Sequence, residues 1–442
     1  MALPVRALTV LQHWDCQGCT ACCRQYHVTV NKEEMTRIEA QGWSNEPQFQ
    51  AIPLFVRSGG WLTSTYRLNH RSDGACVFLG PDNRCRIHVK FGVAAKPLAC
   101  RIYPYSLVPA GDHWKLGLRF ACPSAAEDRG RPLAEHLAEA HDYAAALLAD
   151  ENTNPIPVAP PVLQGSQRVP WGDVFRITTA ISKLLANTTD TVERRWRKVL
   201  FLVSTLRLAR FDGGGDVKKA ITGGRLSELL HVLSQAAEDE VPVSPDLVPP
   251  PGWVGRMVFR PLAALYARKD SGSERGSAQA TAFGRLLAAI QFARGTGRVP
   301  PIHAAIPRAT FADATQPLPE LSDQVQSVLT RWARVKIESG QFCGPTNFGL
   351  GIWDGVESLA TAFTAVMWLA RVLTAGQRAT DDAVTLAVRI VDDNFGFNKL
   401  LGSARQRFAL RLLSSRGELP KLVAFYGKTK TTTKPEAPSL SV

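Results

Sequence analysis

Four cysteines stand within eight positions near the start of the chain, in the stretch DCQGCTACCRQYHVTV at residues 15–30. Cys16, Cys19, Cys22 and Cys23 read C-x2-C-x2-C-C. A C-x2-C step lets two sulfurs converge on one metal ion from a tight turn. Thiolates suit zinc, which takes tetrahedral sulfur at about 2.3 Å, and they also suit an iron–sulfur cluster. The spacing therefore predicts metal or redox chemistry, with disulfide bonds as an alternative.

The remaining cysteines extend this pattern. Eight of the nine in the chain lie between residues 16 and 122, and the later five are Cys76, Cys85, Cys100, Cys122 and the isolated Cys343. Eight thiols can form two four-sulfur sites, or one cluster with spare cysteines, and the sequence does not divide them. We predict that all eight front cysteines are metal ligands.

The adjacent pair Cys22 and Cys23 is harder to assign. In an extended segment, neighbouring side chains point to opposite sides, so the pair would serve two sites or include one cysteine that is not a ligand. Cys16, Cys19 and Cys22 match the first three positions of a ferredoxin run, but Tyr26 stands where its fourth cysteine is required.

The compartment bears on the choice between metal and disulfides. The N-terminal stretch MALPVRALTVLQHW has one arginine and no small-residue cleavage site, so we find no secretory signal. We expect a cytoplasmic protein, in which thiols stay reduced and clustered cysteines favour metal over disulfides or buried free thiols. The longest uncharged apolar run, residues 358–370, is shorter than the roughly 18 residues that span a bilayer, so we predict a buried helix rather than a transmembrane segment.

Three motifs of the front region occur together. They are Cys16-x2-Cys19-x2-Cys22-Cys23, Cys76-x8-Cys85-x-Ile87-His88 and Lys96-Pro97-x2-Cys100-Arg101-x2-Pro104. Over about residues 14–125 this arrangement resembles the CxxCxxCC family of zinc- or iron-chelating proteins, also called YkgJ-type cysteine-cluster proteins. His88 replaces an aromatic residue of the family pattern, and Lys96 replaces an arginine. His13, His27 and His88 lie close to the cysteines in the sequence; each is expected to lie at the surface or beside the ligands, and His88 is the best of them as an additional ligand. Arg101 is a candidate for a cation that offsets thiolate charge, with an ordinary surface arginine as the alternative.

The resemblance implies a bound zinc ion or iron–sulfur cluster. Part of the family is described as flagellin lysine N-methylase, so the resemblance also implies an enzyme that transfers methyl groups from S-adenosylmethionine to a protein substrate. A non-catalytic metal-binding module for structure or interaction is the alternative.

A site for S-adenosylmethionine is not recognisable in the sequence. Gly349, Gly351 and Gly355 are out of register with G-x-G-x-x-G, so we predict a loop that starts a helix. The radical spacing C-x3-C-x2-C is missing because Asp15 stands at its first position. The stretches FGLGIWDG and VDDNFGFNKLL are predicted to be loops that line a substrate cleft.

The elements that must position the cysteines are α+β. Residues 1–150 are predicted as a cysteine-cluster domain with a helix after Asn31, hairpins at 76–88 and 101–122, and a closing helix. The proline-rich residues 152–170 are predicted as a linker, 171–426 as an all-helical domain and 427–442 as a disordered tail. A capping box of Asp190 and Glu193 is predicted to start one helix.

The net charge of +13 is uneven. Residues 1–150 carry 16 Lys and Arg against 14 Asp and Glu, so nearly all of the excess lies in the helical part. No nucleic-acid motif accompanies it. The basic residues of one helix are predicted to form a solvated face, with an acidic protein partner as the alternative; they are Arg194, Arg195, Arg197 and Lys198.

Overall fold

The computed structural model describes residues 3–58, 65–149, 158–209, 211 and 221–430. Strands lie mainly in the front region and helices follow, which confirms the α+β prediction. The strands are β1 (Val5–Ala7), β2 (His13–Trp14), β3 (Thr29–Val30), β4 (Phe55–Ser58), β5 (Thr65–Leu68), β6 (Tyr105–Ala110), β7 (His113–Leu118), β8 (Arg131–Pro132), β9 (Val162–Gln164) and β10 (Gln167–Arg168). The helices are α1 (Ala21–Gln25), α2 (Lys32–Glu39), α3 (Pro47–Gln50), α4 (Arg86–Phe91), α5 (Leu98–Ile102), α6 (Pro123–Ala126), α7 (Leu137–Ala149), α8 (Trp171–Ala186), α9 (Val192–Leu206), α10 (Gly223–Glu240), α11 (Trp253–Ala267), α12 (Ala282–Arg294), α13 (Asp323–Ser339), α14 (Ile352–Thr374), α15 (Thr380–Asn394), α16 (Ala404–Ser415) and α17 (Glu418–Gly427).

Two small three-stranded sheets shape the front region. β6 and β7 form the predicted hairpin around Gly111, whose φ of +73° suits glycine, and β1 joins β7 in parallel with Val5 opposite Trp114. β5 pairs antiparallel with both β3 and β4. The other predicted hairpin, at residues 76–88, lacks strands. Leu79 and Cys85 form only an isolated bridge, because the chain turns at Asn83 (φ +62°) and then enters α4.

Local capping signals set the helix starts. Asn31 and Glu34 form a reciprocal capping box at α2, as the helix prediction required. The predicted box of Asp190 and Glu193 is wrong, because Thr191 is the N-cap of α9 and its hydroxyl accepts from the Arg194 N–H at 3.4 Å.

The basic residues of α9 are buried, which overturns the prediction of a solvated face. Lys198 is 0% exposed, and its ammonium pairs with Asp190 and Glu238. Arg197 pairs with Glu193 at 2.6 Å. The reason is that α9 packs against α8, α10 and α17, so every side of the helix meets protein and its cations need internal partners.

The main core surrounds α14. Among the described residues, this is the one helix long and apolar enough to cross a membrane, and its apolar window is entirely buried inside the protein. It contacts α15, α17, α11, α16 and α9, which confirms the predicted buried helix at residues 358–370. Gly351 is the N-cap of α14, so the glycine-rich stretch before it is the predicted helix-start loop.

The front and helical parts are joined by packing. Val10, Phe120 and Ala126 belong to the same buried cluster as the helices. Part of the predicted linker is also built into that core, because β9 and β10 pair and Leu163 is fully buried, while residues 152–157 lie outside the described ones. The predicted tail begins on described structure, since the Lys430 N–H donates to the Leu318 carbonyl at 2.7 Å; residues 431–442 lie outside the described ones.

Candidate metal centre

The first cysteine motif is a turn followed by one short helix. Gly18 lies between Cys16 and Cys19 with φ +64°, which produces the tight turn expected of the C-x2-C step. Cys22 and Cys23 lie in α1, with their sulfurs 3.8 Å apart. The expectation that this pair points to opposite sides is therefore wrong, because the segment is helical. Two sulfurs about 2.3 Å from one tetrahedral zinc are themselves about 3.8 Å apart.

Separate segments bring further cysteines to this pair. The Cys76 N–H donates to the Cys23 carbonyl at 2.8 Å, Cys85 immediately precedes α4, and Cys100 lies within α5. Cys76, Cys85 and Cys100 all pack against one small core, whose buried members include Trp43 and Phe78. We call Cys22, Cys23, Cys76, Cys85 and Cys100 the inner thiol group.

The electrostatics show that these thiols are neighbours. Burial raises the pKa of Cys76 to about 12, and the nearby thiols of Cys85 and Cys22 act in the same direction. Burial likewise raises the pKa of Cys100, with contributions from Cys76, Cys85 and Cys22. The hydrogen bond with Cys23, and then burial, raise the pKa of Cys22. Without metal, Cys22, Cys76 and Cys100 are therefore protonated at neutral pH.

One cation lies among the inner thiols. The charge of Lys96 acts against the upward pKa shifts of Cys22 and Cys100. A positive charge at that place stabilises thiolates, which are the form that binds metal. Lys96 was identified from the sequence only as a departure from the family pattern. The structure gives it the charge-offsetting position that was predicted for Arg101.

Cys16, Cys19 and Cys122 form a second set, which we call the outer thiol group. Cys16 and Cys19 are exposed, whereas Cys122 is buried immediately before α6. Burial raises the pKa of Cys19, with Cys22 and Cys16 contributing in turn. Burial also raises the pKa of Cys122 to about 11, and Cys19 is one of the neighbours that raise it. The two groups therefore adjoin where Cys19 meets Cys22.

The donor set fits zinc or an iron–sulfur cluster in its chemistry. Within the described residues, no three His, Cys, Asp or Glu side chains already face one point closely enough to hold a metal ion. The eight thiols nevertheless come from five chain segments and influence one another's ionisation in a single region. Soft thiolates in such numbers suit zinc and iron–sulfur clusters better than magnesium or calcium, which prefer oxygen.

The candidate histidines have other neighbours. His88 is exposed on α4, and burial followed by the charges of Lys96 and Arg84 lowers its pKa. The Nδ1 atom of His13 lies 3.1 Å from an Asp128 carboxylate oxygen, and the ring of His27 packs 4.7 Å from that of His70. The structure thus gives no support to His88 as a ligand.

The helical half holds two cysteine-bearing segments in place through Asp393 on α15. The Tyr26 hydroxyl donates to Asp393 at 2.7 Å, and Lys269 donates at 2.5 Å. Arg119 lies 3.6 Å from the same carboxylate. Tyr26 follows Cys23 by three residues, and Arg119 precedes Cys122 by three. One largely enclosed carboxylate, 15% exposed in its side chain, therefore anchors the chain next to both thiol groups.

The preceding residue, Asp392, adds a second anchor. Its carboxylate accepts from the Ala121 N–H and from the Trp332 indole, each at 3.0 Å, and pairs with Lys336 at 2.6 Å. Both aspartates lie within α15, so the prediction that VDDNFGFNKLL is a cleft-lining loop is wrong for its acidic part. The sequence does contain a signal for these anchors, because two adjacent aspartates stand near the end of a helix with an apolar face. Carboxylates enclosed by protein need partners, so the pair indicates contacts with other segments.

A cavity of about 320 Å³ lies elsewhere, between the β6–β7 hairpin, α8 and α13. Its lining includes Cys343 and Lys115 but none of the eight front cysteines. Burial lowers the pKa of Lys115 to about 8, and its ammonium donates to the Glu338 carbonyl at 2.6 Å. Cys343 is therefore remote from both thiol groups in its packing.

Comparison with known proteins agrees with this assignment for one part of the chain. Residues 15–124 match the family model CxxCxxCC, described as "Putative zinc- or iron-chelating domain". Residues 125–442 lie outside the match. No curated protein and no solved structure was found to match the chain.

Proposed function

We propose that this protein, whose residues 15–124 form a CxxCxxCC domain, is a cytoplasmic zinc- or iron–sulfur-binding protein that uses all eight front cysteines as ligands. The inner and outer thiol groups adjoin at Cys19 and Cys22, so the ligands are drawn from both groups. The observation that carries the proposal is that four separate segments, which bear the Cys22–Cys23 pair, Cys76, Cys85 and Cys100, meet in one region, where the charge of Lys96 acts on Cys22 and Cys100.

Bound metal would cross-link segments that are distant in the sequence, such as those that bear Cys23, Cys76 and Cys100. Structural zinc contributes roughly 10–16 kcal/mol to the folding of finger peptides, which is as large as the net stability of many domains. The small core beside the inner thiols has only eight buried members among the described residues, so such a cross-link suits its size. Lys96 would hold the thiols toward their ionised form, and Asp393 would hold Tyr26 and Arg119 in place.

Within the described part of the chain, no specific contact supports the methylase activity that the resemblance implies. Gly349 and Gly351 lie at the start of α14 without a preceding strand, so this loop is not the usual nucleotide-binding arrangement. We therefore favour a metal centre that supports structure or interaction, and titration with S-adenosylmethionine distinguishes it from the enzyme. Saturable binding by the metal-loaded protein would favour the methylase.

Substitution of single cysteines tests the ligand assignment. Cys85→Ser and Cys100→Ser should each lower bound metal and soluble yield, because each removes one thiolate from the inner group. Lys96→Gln should keep metal at high pH and lose it at a higher pH than wild type, because thiolates form less readily without the cation. Arg84→Gln removes an exposed cation on the other side of α4 and is the matched control, which should keep the pH dependence of wild type. Unchanged metal content in both cysteine variants would refute the assignment.

A further inference from the structure

One surface helix exposes an apolar face. Along α12, the exposed fractions are 69% for Phe283, 58% for Leu286, 45% for Leu287 and 40% for Ile290. These positions follow helical spacing, so the four side chains lie on one side. Only Ala288 and Phe292 of this helix are buried. Two side chains of α12 thus pack into the core, whereas its larger apolar stripe faces solvent. A contiguous exposed apolar stripe of this kind is unusual on the surface of a soluble protein.

The chain around this stripe is purely cationic. Residues 275–312 contain five arginines and neither aspartate nor glutamate. Arg294 follows Ile290 by four residues and continues the same face, and Arg298 comes one turn beyond the helix end. In the part of the chain that the structure describes, no carboxylate forms an ion pair with Arg285, Arg294 or Arg298.

The neighbouring helix strengthens the positive charge. The Arg260 guanidinium on α11 donates to the Arg294 carbonyl at 3.1 Å, so it lies at the C-terminal end of α12. Burial lowers the pKa of Arg260, and the charge of Arg256 acts in the same direction. Arg256 is therefore a further cation nearby. The stripe is therefore bordered by several arginines that have no carboxylate partner among the residues that the structure describes.

These features select one kind of partner. A second copy of the chain would bring the same uncompensated arginines together, which charge repulsion opposes. An anionic membrane offers an apolar acyl boundary for Phe283 and the leucines, and phosphate groups beside it for Arg294 and Arg298. We propose that α12 is an interfacial helix that lies in the surface of an anionic membrane and docks the protein there.

Such binding is peripheral and reversible. The apolar stripe spans about two helical turns and enters only the outer acyl boundary. The arginines add attraction that depends on anionic lipid and weakens with salt, since the surface potential decays within a Debye length. Both contributions are required, so removal of either should release the protein.

Co-sedimentation of the full-length, metal-loaded protein with lipid vesicles tests the proposal. The probes are phosphatidylcholine vesicles with about one third phosphatidylserine and vesicles of phosphatidylcholine alone. We expect wild type to bind the anionic vesicles at least tenfold more tightly than the neutral ones. Phe283→Ser with Leu287→Ser should weaken that binding at least tenfold. Arg294→Gln with Arg298→Gln should remove the preference for anionic lipid.

Phe408→Ser is the matched control, because Phe408 is 68% exposed on α16 and lies outside the proposed surface. It should bind as wild type does. Circular dichroism identifies any variant that fails to fold. Wild type that stays in the supernatant with both vesicles would overturn the proposal, as would equal loss in the Phe408 and Phe283 variants. A dimer that is lost on Phe283→Ser, without vesicle binding, would instead show that a second copy covers the stripe.

Discussion

Asp393→Asn is the substitution that tests most sharply how the helical half supports the cysteine-bearing segments. Burial alone raises the pKa of Asp393, but the cations of Lys269 and Arg119 outweigh it and hold that pKa below its usual value. The carboxylate is therefore ionised at neutral pH. Its two cationic neighbours are only 10% and 15% exposed in their side chains. Asparagine preserves the shape and removes the charge.

The expected cost follows from that burial. Breaking a buried ion pair from one side costs about 3–5 kcal/mol, because it leaves an uncompensated charge inside. For a unit of about 250 residues, this corresponds to a decrease of roughly 6–10 °C in melting temperature. Tyr26→Phe removes only one hydrogen bond to the carboxylate, so we expect the smaller loss of about 1.5–3 kcal/mol.

Thermal unfolding followed by circular dichroism measures these changes, and bound metal is measured on the same samples. Asp382→Asn is the control on the same helix, because Asp382 is exposed in the first turn of α15. This control should lower the free energy of unfolding by no more than roughly 0.3–1 kcal/mol, the size of one helix-dipole interaction. If Asp393→Asn melted as Asp382→Asn does, Asp393 would not be the anchor described here.

Other substitutions test the buried charges and the thiols. Asp190→Asn should cost about 3–5 kcal/mol in urea unfolding, because two buried cations, Lys198 and Arg194, are then left to share Glu238 as their carboxylate partner; an unchanged midpoint would contradict the buried network. Burial, and then nearby cations, lower the pKa of His27 to about 4, against about 6.5 when unfolded. The unfolded state then binds more protons between these values, so stability should fall as pH decreases through that window, and less steeply in His27→Asn; equal slopes would refute this role. Cys343→Ser should keep full metal content in elemental analysis while Cys100→Ser loses it, and the opposite order would contradict the assignment of the thiols.

Features that depend on residues close together in the chain were predictable from the sequence. The Asn31 cap of α2 depends on residues four positions apart at most, and the β6–β7 hairpin depends on one turn. The burial of α14 followed from its continuous apolar run. The cysteine spacing likewise indicated the kind of chemistry, because ligand geometry requires C-x2-C steps within a turn.

Features that depend on tertiary packing were not predictable from the sequence. The α9 cations were placed on the surface, although Arg194 and Arg197 each have an acidic residue four positions earlier, a spacing that suits internal pairing as well as surface pairing. The role of Asp393 depends on contacts with Tyr26, 367 residues away, and with Lys269, 124 residues away. The geometry of Cys22 and Cys23 depended on whether a five-residue segment was extended or helical, which so short a run does not determine.

The central claim is that the front cysteines bind zinc or an iron–sulfur cluster. Elemental analysis and a visible absorption spectrum of full-length protein purified without oxygen test it most directly. We predict at least one zinc per chain with no visible absorption, or stoichiometric iron and sulfide with charge-transfer bands, in either case lost together in Cys100→Ser and retained in Cys343→Ser. Protein that is folded and soluble with neither metal bound would contradict the claim.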